Sequence, residues 1–336
     1  MFRKVSFFTL LAAILGVLGI GVFQARGQDV VFGQFYANPL YLNPALAGNA
    51  NGPRLTSNFR NQWPALNASF LTYSLGFDQY LPALRSGIGI HILTDQIGSE
   101  AYRSTQASLI YAFNLRLTQQ ISLRTGFQYT FLSKSLNFNK LIFPEQINSI
   151  TGIGPRPPGS TLPFGSDGLK SVSISDLSAG LILFSDKFFV GGSIHHLTEP
   201  NQAFYLDSKV PLSMRISGHA GVNINLTPQY NDFENWVLSP NILYIQQGPA
   251  RQINLGTYLS RGALAAGAWY RVNDALILTA GFQKGKMRLG YGYEITTSTL
   301  RAVGTGGSHE VSLGFIFENP EPVETIRYEQ IRCPQF

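Results

Sequence analysis

The sequence predicts an all-β protein, namely a transmembrane outer-membrane β-barrel of about 14 antiparallel strands preceded by a signal peptide. Three observations lead to this prediction. The chain begins with a secretory-type leader, only 13% of its 336 residues are charged, and segments of about ten residues alternate apolar and polar side chains. Four regions follow: a signal peptide (1–27), an N-terminal periplasmic or plug segment (28–52), the β-barrel (53–317) and a C-terminal periplasmic tail (318–336).

The leader has the order of a secretory signal peptide. Basic residues lie within Met1–Lys4, an apolar run covers Val5–Phe23, and the small residues Ala25 and Gly27 precede Gln28. An uncleaved membrane anchor is the alternative, since about 20 apolar residues span a bilayer. The small residues directly before Gln28 favour cleavage at that point.

The composition indicates a surface that is partly covered by lipid. A charged share of 13% is about half of what soluble domains carry, and such a surface is poorly suited to water alone. Loss of Arg3, Lys4 and Arg26 with the leader lowers the number of basic residues from 25 to 22 against 19 acidic ones, a net charge of +3. This small, unclustered surplus excludes a nucleic-acid partner. Cys333 is the single cysteine, so no intrachain disulfide is available.

Beyond the leader no apolar run is long enough for a spanning helix, and a membrane protein without such runs is a closed barrel. In 287–297, for example, Leu289 and Tyr291 alternate with Arg288 and Gly290, so one set faces lipid and the other the lumen. A β-sandwich or a propeller is the alternative, and the charge deficit and leader favour the barrel. The predicted strands are 53–63, 68–77, 86–94, 102–115, 120–133, 171–184, 188–197, 213–225, 237–247, 251–260, 263–271, 275–283, 287–297 and 308–317.

Loop lengths predict the orientation of this barrel. Outer-membrane barrels have short periplasmic turns and longer outer loops. The longest loop, 134–170, joins the fifth and sixth strands and so lies outside, if the first strand starts in the periplasm. We therefore expect both termini in the periplasm, outer-membrane lipids around the wall, and loop 134–170 as a partner contact. The last strand ends in Phe315-Ile-Phe317 and resembles the last-strand signal of outer-membrane proteins.

The segment before the first strand combines turn-forming residues with aromatic side chains. Two Asn-Pro pairs five residues apart favour turns and disfavour a helix or a central strand. Its apolar residues provide surface for docking, either as a plug or rim in the periplasmic mouth or as an epitope for a periplasmic partner. The plug is the preferred interpretation. The residues singled out are Phe35, Tyr36, Asn38, Pro39, Asn43 and Pro44.

Several charged residues fall at lumen-facing positions of the predicted strands. The basic residues alone predict a lumen that prefers anions. Pairing with lumen carboxylates instead predicts a filled, closed barrel, and this second interpretation is favoured. The charges in question are Arg60, Arg124, Arg215, Arg271, Arg288, Glu294 and Glu310.

No motif for catalysis, metal binding or cofactor binding is found. Nucleotide-binding loops, zinc-protease and nucleophile-elbow motifs are missing from the sequence. His195 and His196 are adjacent on a predicted strand, so we expect them on opposite faces, unable to share a metal. An enzyme is therefore not predicted.

An ordered set of motifs resembles a known family. They are the stretch Gln28–Gly48, Asn58-Phe-Arg-Asn-Gln-Trp-Pro64, Gly191–Pro200 and Gly307-Ser-His-Glu310. Together they closely resemble the PorP/SprF family of Bacteroidota, and the match extends from Gln28 to Phe317. The resemblance implies an outer-membrane component or cargo partner of the type IX secretion system, which supports secretion and surface display of large proteins such as gliding adhesins. The implied partners are the secretion machinery and a large secreted surface protein. An outer-membrane channel or transporter for small solutes is the alternative.

Overall fold

The computed structural model describes residues 28–66, 70–98, 100–142, 146–148, 152–154, 169–204, 208–227, 235–299 and 304–318. The predicted signal peptide and nearly all of the predicted C-terminal tail lie outside the described residues. No helix within the described ranges is long and apolar enough to cross a membrane.

Within the described ranges, fourteen long antiparallel strands form one closed sheet, and each pairs with the next long strand along the chain. The last strand pairs with the first over Arg54–Gln62, which closes the cylinder. The strands are β1 (Arg54–Gln62), β2 (Phe70–Leu81), β3 (Ser86–Ile97), β4 (Tyr102–Arg116), β5 (Ser122–Asn137), β6 (Leu169–Phe184), β7 (Phe188–His195), β8 (Arg215–Val222), β9 (Trp236–Gln247), β10 (Ala250–Arg261), β11 (Leu264–Arg271), β12 (Ala275–Lys284), β13 (Met287–Thr296) and β14 (Ser308–Ile316).

The predicted fold class and all fourteen predicted strands are confirmed, with differences at the strand ends. The strand predicted over 213–225 is interrupted, because β8 ends at Val222 and the two-residue strand Ile224–Asn225 follows. Pairing of β8 with β9 stops at Gly221 and Asn241, directly before Pro240. Proline has no backbone N–H to donate to a neighbouring strand, which accounts for the interruption.

The two faces of the wall differ sharply in polarity. On the outer face, aliphatic and aromatic side chains such as Leu109 and Phe127 are 60% and 62% exposed. On the inner face their neighbours Ser108 and Gln128 are buried. This arrangement reverses that of a soluble β-sandwich and suits a wall surrounded by hydrocarbon. It also explains why so few residues of the chain are charged.

Residues 28–52 lie inside the barrel. This segment contains three single helical turns, Phe35–Ala37, Pro39–Leu42 and Pro44–Leu46. Pro39 and Pro44 each occupy the first position of their turn. A proline is well placed there, because its ring presets the backbone and its missing N–H would have no intrahelical partner. The prediction that the Asn-Pro pairs disfavour a helix was therefore wrong for the residues that follow each asparagine.

The barrel has two mouths, which the segment connects. The turn-side mouth contains the start of β1 and the end of β14, and the loop-side mouth contains the ends of β3, β7 and β9. The backbone N–H of Asp29 donates to Gln247 Oε1 at the loop-side mouth (2.8 Å). The N–H of Gly48 donates to Asp78 Oδ2 near the turn-side mouth (2.7 Å). The segment thus runs through the lumen along its length and does not only cover one mouth.

This path bears on the expected placement of both termini in the periplasm, which stays a prediction because residues 1–27 and 319–336 lie outside the described residues. Phe317 donates its backbone N–H to the carbonyl of Pro53 at the turn-side mouth (2.8 Å), whereas Asp29 lies at the loop-side mouth. The two ends of the described chain therefore lie at opposite mouths. The reason is that the chain crosses the lumen once before β1 begins.

Candidate functional site

An aromatic cluster holds the centre of the N-terminal segment. The ring of Phe35 packs edge-on against Trp269, with centroids 4.6 Å apart, and Tyr36 packs edge-on against Phe189 at 5.8 Å. All four rings are buried. Each buried aromatic side chain removes about 150–250 Å² from water. This cluster is consequently a large apolar contribution to keeping the segment inside the lumen.

Wall glycines let the segment approach the strands closely. A Cβ at Gly126 would lie 2.3 Å from the backbone nitrogen of Ala45, and one at Gly180 would lie 2.0 Å from Asn43 Oδ1. Neither glycine could carry a side chain without moving the segment. Asn43 Oδ1 also accepts the N–H of Ala45 (2.9 Å), which caps the third helical turn. Asn38, in turn, donates its side-chain amide to Ser74 Oγ (2.8 Å).

Glu310 of β14 binds the backbone of the segment directly. Its two carboxylate oxygens accept the N–H groups of Gly33 (2.7 Å) and Gln34 (2.9 Å). The side chain of Gln34 donates back to the carbonyl of Glu310 (3.0 Å) and accepts from Ser312 Oγ (2.9 Å). A short loop is therefore fixed to the wall by four hydrogen bonds. We call these four hydrogen bonds between Glu310, Ser312 and the segment the Glu310 clamp.

A chain of buried ion pairs adjoins this clamp. Arg60 binds Glu310 (3.2 Å) and Glu294 (3.1 Å), and Arg271 binds the other oxygen of Glu294 (2.7 Å). The four side chains come from β1, β11, β13 and β14 and are each at most 6% exposed. The predicted lumen charges Arg60, Arg271, Glu294 and Glu310 are thus brought together in one network.

The other predicted lumen charges lie elsewhere. Arg124 donates to the carbonyl of Ala47, near the end of the segment. The guanidinium of Arg215 lies over the ring of Tyr41, 4.7 Å from its centroid. Arg288 is buried near the start of β13, at the turn-side end of the lumen.

A second carboxylate, which is not among the predicted lumen charges, holds the end of the segment. Asp78 accepts two hydrogen bonds from Arg54, at 2.9 Å each, and one from the N–H of Gly48 (2.7 Å). The predicted second strand ended at residue 77, so Asp78 fell just outside it. Extending the predicted strand by one residue would have included Asp78 and placed its side chain on the lumen face.

A histidine between two carboxylates holds the start of the segment at the loop-side mouth. His196 Nε2 lies 2.7 Å from Asp29 Oδ2, and its Nδ1 lies 2.8 Å from Asp176 Oδ2. Burial opposes the charged imidazolium, but the carboxylates of Asp29 and Asp176 outweigh burial and raise the pKa of His196 to about 9. Burial also works against the charged carboxylate of Asp29, yet the His196 and Arg215 charges hold the pKa of Asp29 well below its usual range.

This arrangement corrects the expectation that His195 and His196 point to opposite faces. β7 ends at His195, and His196 follows with a φ of +60°. The left-handed backbone turns the His196 side chain back towards the lumen, so both imidazoles are buried. Within the described ranges, no group of three or more His, Cys, Asp or Glu side chains is arranged to hold a metal ion.

Comparison with known proteins assigns the family. The family model described as "Type IX secretion system membrane protein PorP/SprF" matches residues 24–315. The chain belongs to this family. The description of this family associates it with the type IX secretion system and with a membrane location. No curated protein matches the chain.

Several solved outer-membrane proteins are similar to this member of the PorP/SprF family in fold. The toluene transporter TodX of P. putida is 9% identical, with a TM-score of 0.48, and the match covers 84% of this chain and 94% of that one. The CymD monoaromatic hydrocarbon channel is 12% identical, with a TM-score of 0.47 and coverages of 88% and 96%. Omp33 of Acinetobacter baumannii is 9% identical, with a TM-score of 0.44 and coverages of 80% and 100%.

Proposed function

We propose that this barrel is a protein-binding component of the type IX secretion system in the outer membrane. In this role it supports the secretion and the surface display or anchoring of large cell-surface proteins such as gliding adhesins. Membership of the PorP/SprF family supports the proposal. The observation that carries it is the filled lumen, in which segment 28–52 is held by the Glu310 clamp and the aromatic cluster. Because the interior is occupied, the mouths and loops are the surfaces that remain available to bind proteins.

The proposed orientation places the loop-side mouth outside the cell and the C-terminal tail in the periplasm. Short connections, such as those between β6 and β7 and between β12 and β13, then face the periplasm. Loop 134–170 remains our preferred cargo contact, although most of it lies outside the described residues. Since Phe35, Tyr36, Asn38 and Asn43 are buried in the lumen, segment 28–52 acts in this proposal as a plug and not as a periplasmic docking epitope.

Affinity purification of the tagged full-length chain from outer membranes tests the secretion role. We expect a very large secreted protein and secretion-system subunits to co-purify, whereas an unrelated tagged barrel from the same membranes should bring down neither. Defective uptake of small solutes with normal secretion would instead support a transporter and contradict the proposal.

Deleting residues 29–48 tests the plug. We expect the purified full-length barrel to show a conductance near zero in planar bilayers and the deletion to open a pore. A steady anion-selective current through the full-length barrel would overturn the plug. A deletion variant that still folds, judged by heat-modifiable migration, and still displays cargo normally would argue against any docking role for the segment.

A further inference from the structure

A funnel opens at the loop-side mouth beside the first residues of the segment. Its volume is about 300 Å³, which is near the lower end for ligand pockets. Apolar side chains, among them Val31 and Ile245, line part of it. Three arginines and two carboxylates also line the funnel: Arg215, Arg251, Arg271, Asp29 and Asp274.

Both carboxylates of the funnel already have cationic partners. Asp29 is bound by His196 (2.7 Å), and Asp274 is bound by Arg271 Nη1 (3.2 Å). Asp29 also interacts electrostatically with Arg215, which offsets part of the charge of that arginine. The rest of the Arg215 charge is left for a ligand, together with the charge of Arg251, which forms no salt bridge with a described carboxylate.

The arginines retain unused hydrogen-bond donors. Arg215 is 4% exposed, its Nε has no hydrogen-bond partner among the described residues, and it forms no salt bridge with a described carboxylate. The Nη2 of Arg271, itself 5% exposed, has no partner among those residues either. Buried donors of this kind are costly to leave unsatisfied. Arg251 lies exposed at the rim, where it can meet an incoming anion.

We propose that the funnel binds the carboxylate of a peptide that enters from the loop-side mouth. A guanidinium matches a carboxylate through two parallel N–H···O bonds, and the ring of Tyr41 holds Arg215 in place for this contact. The apolar lining fits an aliphatic side chain next to the carboxylate better than the hydroxyl groups of a sugar acid. The volume suits the last one or two residues of a chain or one acidic side chain. This proposal depends only on the funnel and is independent of the secretion role.

Calorimetric titration of the purified full-length barrel in detergent tests the proposal. The probe is N-acetyl-glycyl-leucine with a free carboxylate, compared with its C-terminal amide. We expect saturable binding of the acid. The amide should bind at least about tenfold more weakly, because it has no negative charge for the arginines. N-acetyl-aspartyl amide distinguishes the two sources of the carboxylate, since tighter binding of this probe identifies an acidic side chain and weaker binding a chain terminus.

Substitutions locate the site. Arg251→Gln is expected to weaken binding of the acid about fivefold, and Arg215→Lys more strongly, because lysine lacks the planar fork. Arg261→Gln is the matched control, since Arg261 is exposed on the same strand as Arg251 but lies at the turn-side mouth over Trp236. It should leave binding unchanged. Equal binding of acid and amide, tighter binding of glucuronate, or equal losses in Arg251→Gln and Arg261→Gln would each overturn the proposal.

Discussion

Replacing Glu310 with glutamine should detach the first turn of the plug while leaving the barrel closed. The Glu310 carboxylate accepts the N–H groups of Gly33 and Gln34 at 2.7 and 2.9 Å and binds Arg60 at 3.2 Å. Glutamine keeps one acceptor oxygen, turns an N–H₂ group towards these donors and removes the charge. Breaking a buried ion pair by removing one partner costs about 3–5 kcal/mol. At about 1.4 kcal/mol per factor of ten, the detached population rises by roughly two to three and a half powers of ten.

Amide hydrogen exchange at Gly33 and Gln34 measures this detachment at fixed pH. Faster exchange of these two amides in Glu310→Gln, with unchanged protection in the strands, is the expected result. The control is Glu100→Gln, which removes an exposed ion pair with Arg103 (2.8 Å) and should leave both amides protected. Heat-modifiable migration checks that each barrel is folded. If Glu310→Gln protected Gly33 and Gln34 as well as wild type does, the clamp would not hold the plug.

Three further perturbations probe other contacts of the plug. The pKa of His196 is raised from 6.5 to about 9, so its ion pairs stabilise the plug fully below about pH 6.5 and are lost as the pH rises through about 9. A fluorescent amino acid in place of Gln28 should become mobile over that range, and His196→Gln should abolish the transition. Gly126→Ala places a methyl group against the plug and should cost about 1–3 kcal/mol of unfolding free energy in urea, whereas Gly218→Ala, which has nothing within 4 Å, should cost much less; equal losses would contradict the close approach. Phe35→Ala should cost about 3–5 kcal/mol in the same assay, and a loss below about 1 kcal/mol would show that the ring is not packed as described.

The fold could be predicted from the sequence because alternation in a barrel wall is a local property. Within each strand, the alternation of apolar and polar residues indicates which side chains face lipid and which face the lumen. In β4, for example, Leu109 faces lipid and Ser108 faces the lumen. Strand pairing follows from order along the chain, since every strand pairs with its sequence neighbours. Strand ends were less predictable. For example, β3 and β5 extend past their predicted ends to Ile97 and Asn137.

The plug contacts could be predicted only in part, because they join residues that are distant in sequence. Alternation identifies Arg60 and Glu310 as lumen residues, but it contains no information that they bind each other across 250 positions. The role of His196 depends on its own left-handed backbone conformation directly after β7. Glycine and asparagine commonly adopt this conformation, and neither occupies that position. Asp29 was not predicted as a contact residue, because its pairing with His196 depends on the path of the chain through the lumen. That path is a tertiary property.

The Glu310 clamp also bears on the order in which this protein can assemble. Arg60 belongs to the first strand, whereas Glu294 and Glu310 belong to the last two, so their ion pairs form only when the sheet cyclises. Glu310 at the same time requires the N–H groups of Gly33 and Gln34. Cyclisation around an empty interior would leave this carboxylate without two of its donors. Closure of the seam around the plug is therefore favoured over closure of an empty barrel, in which Glu310 would lack two hydrogen bonds.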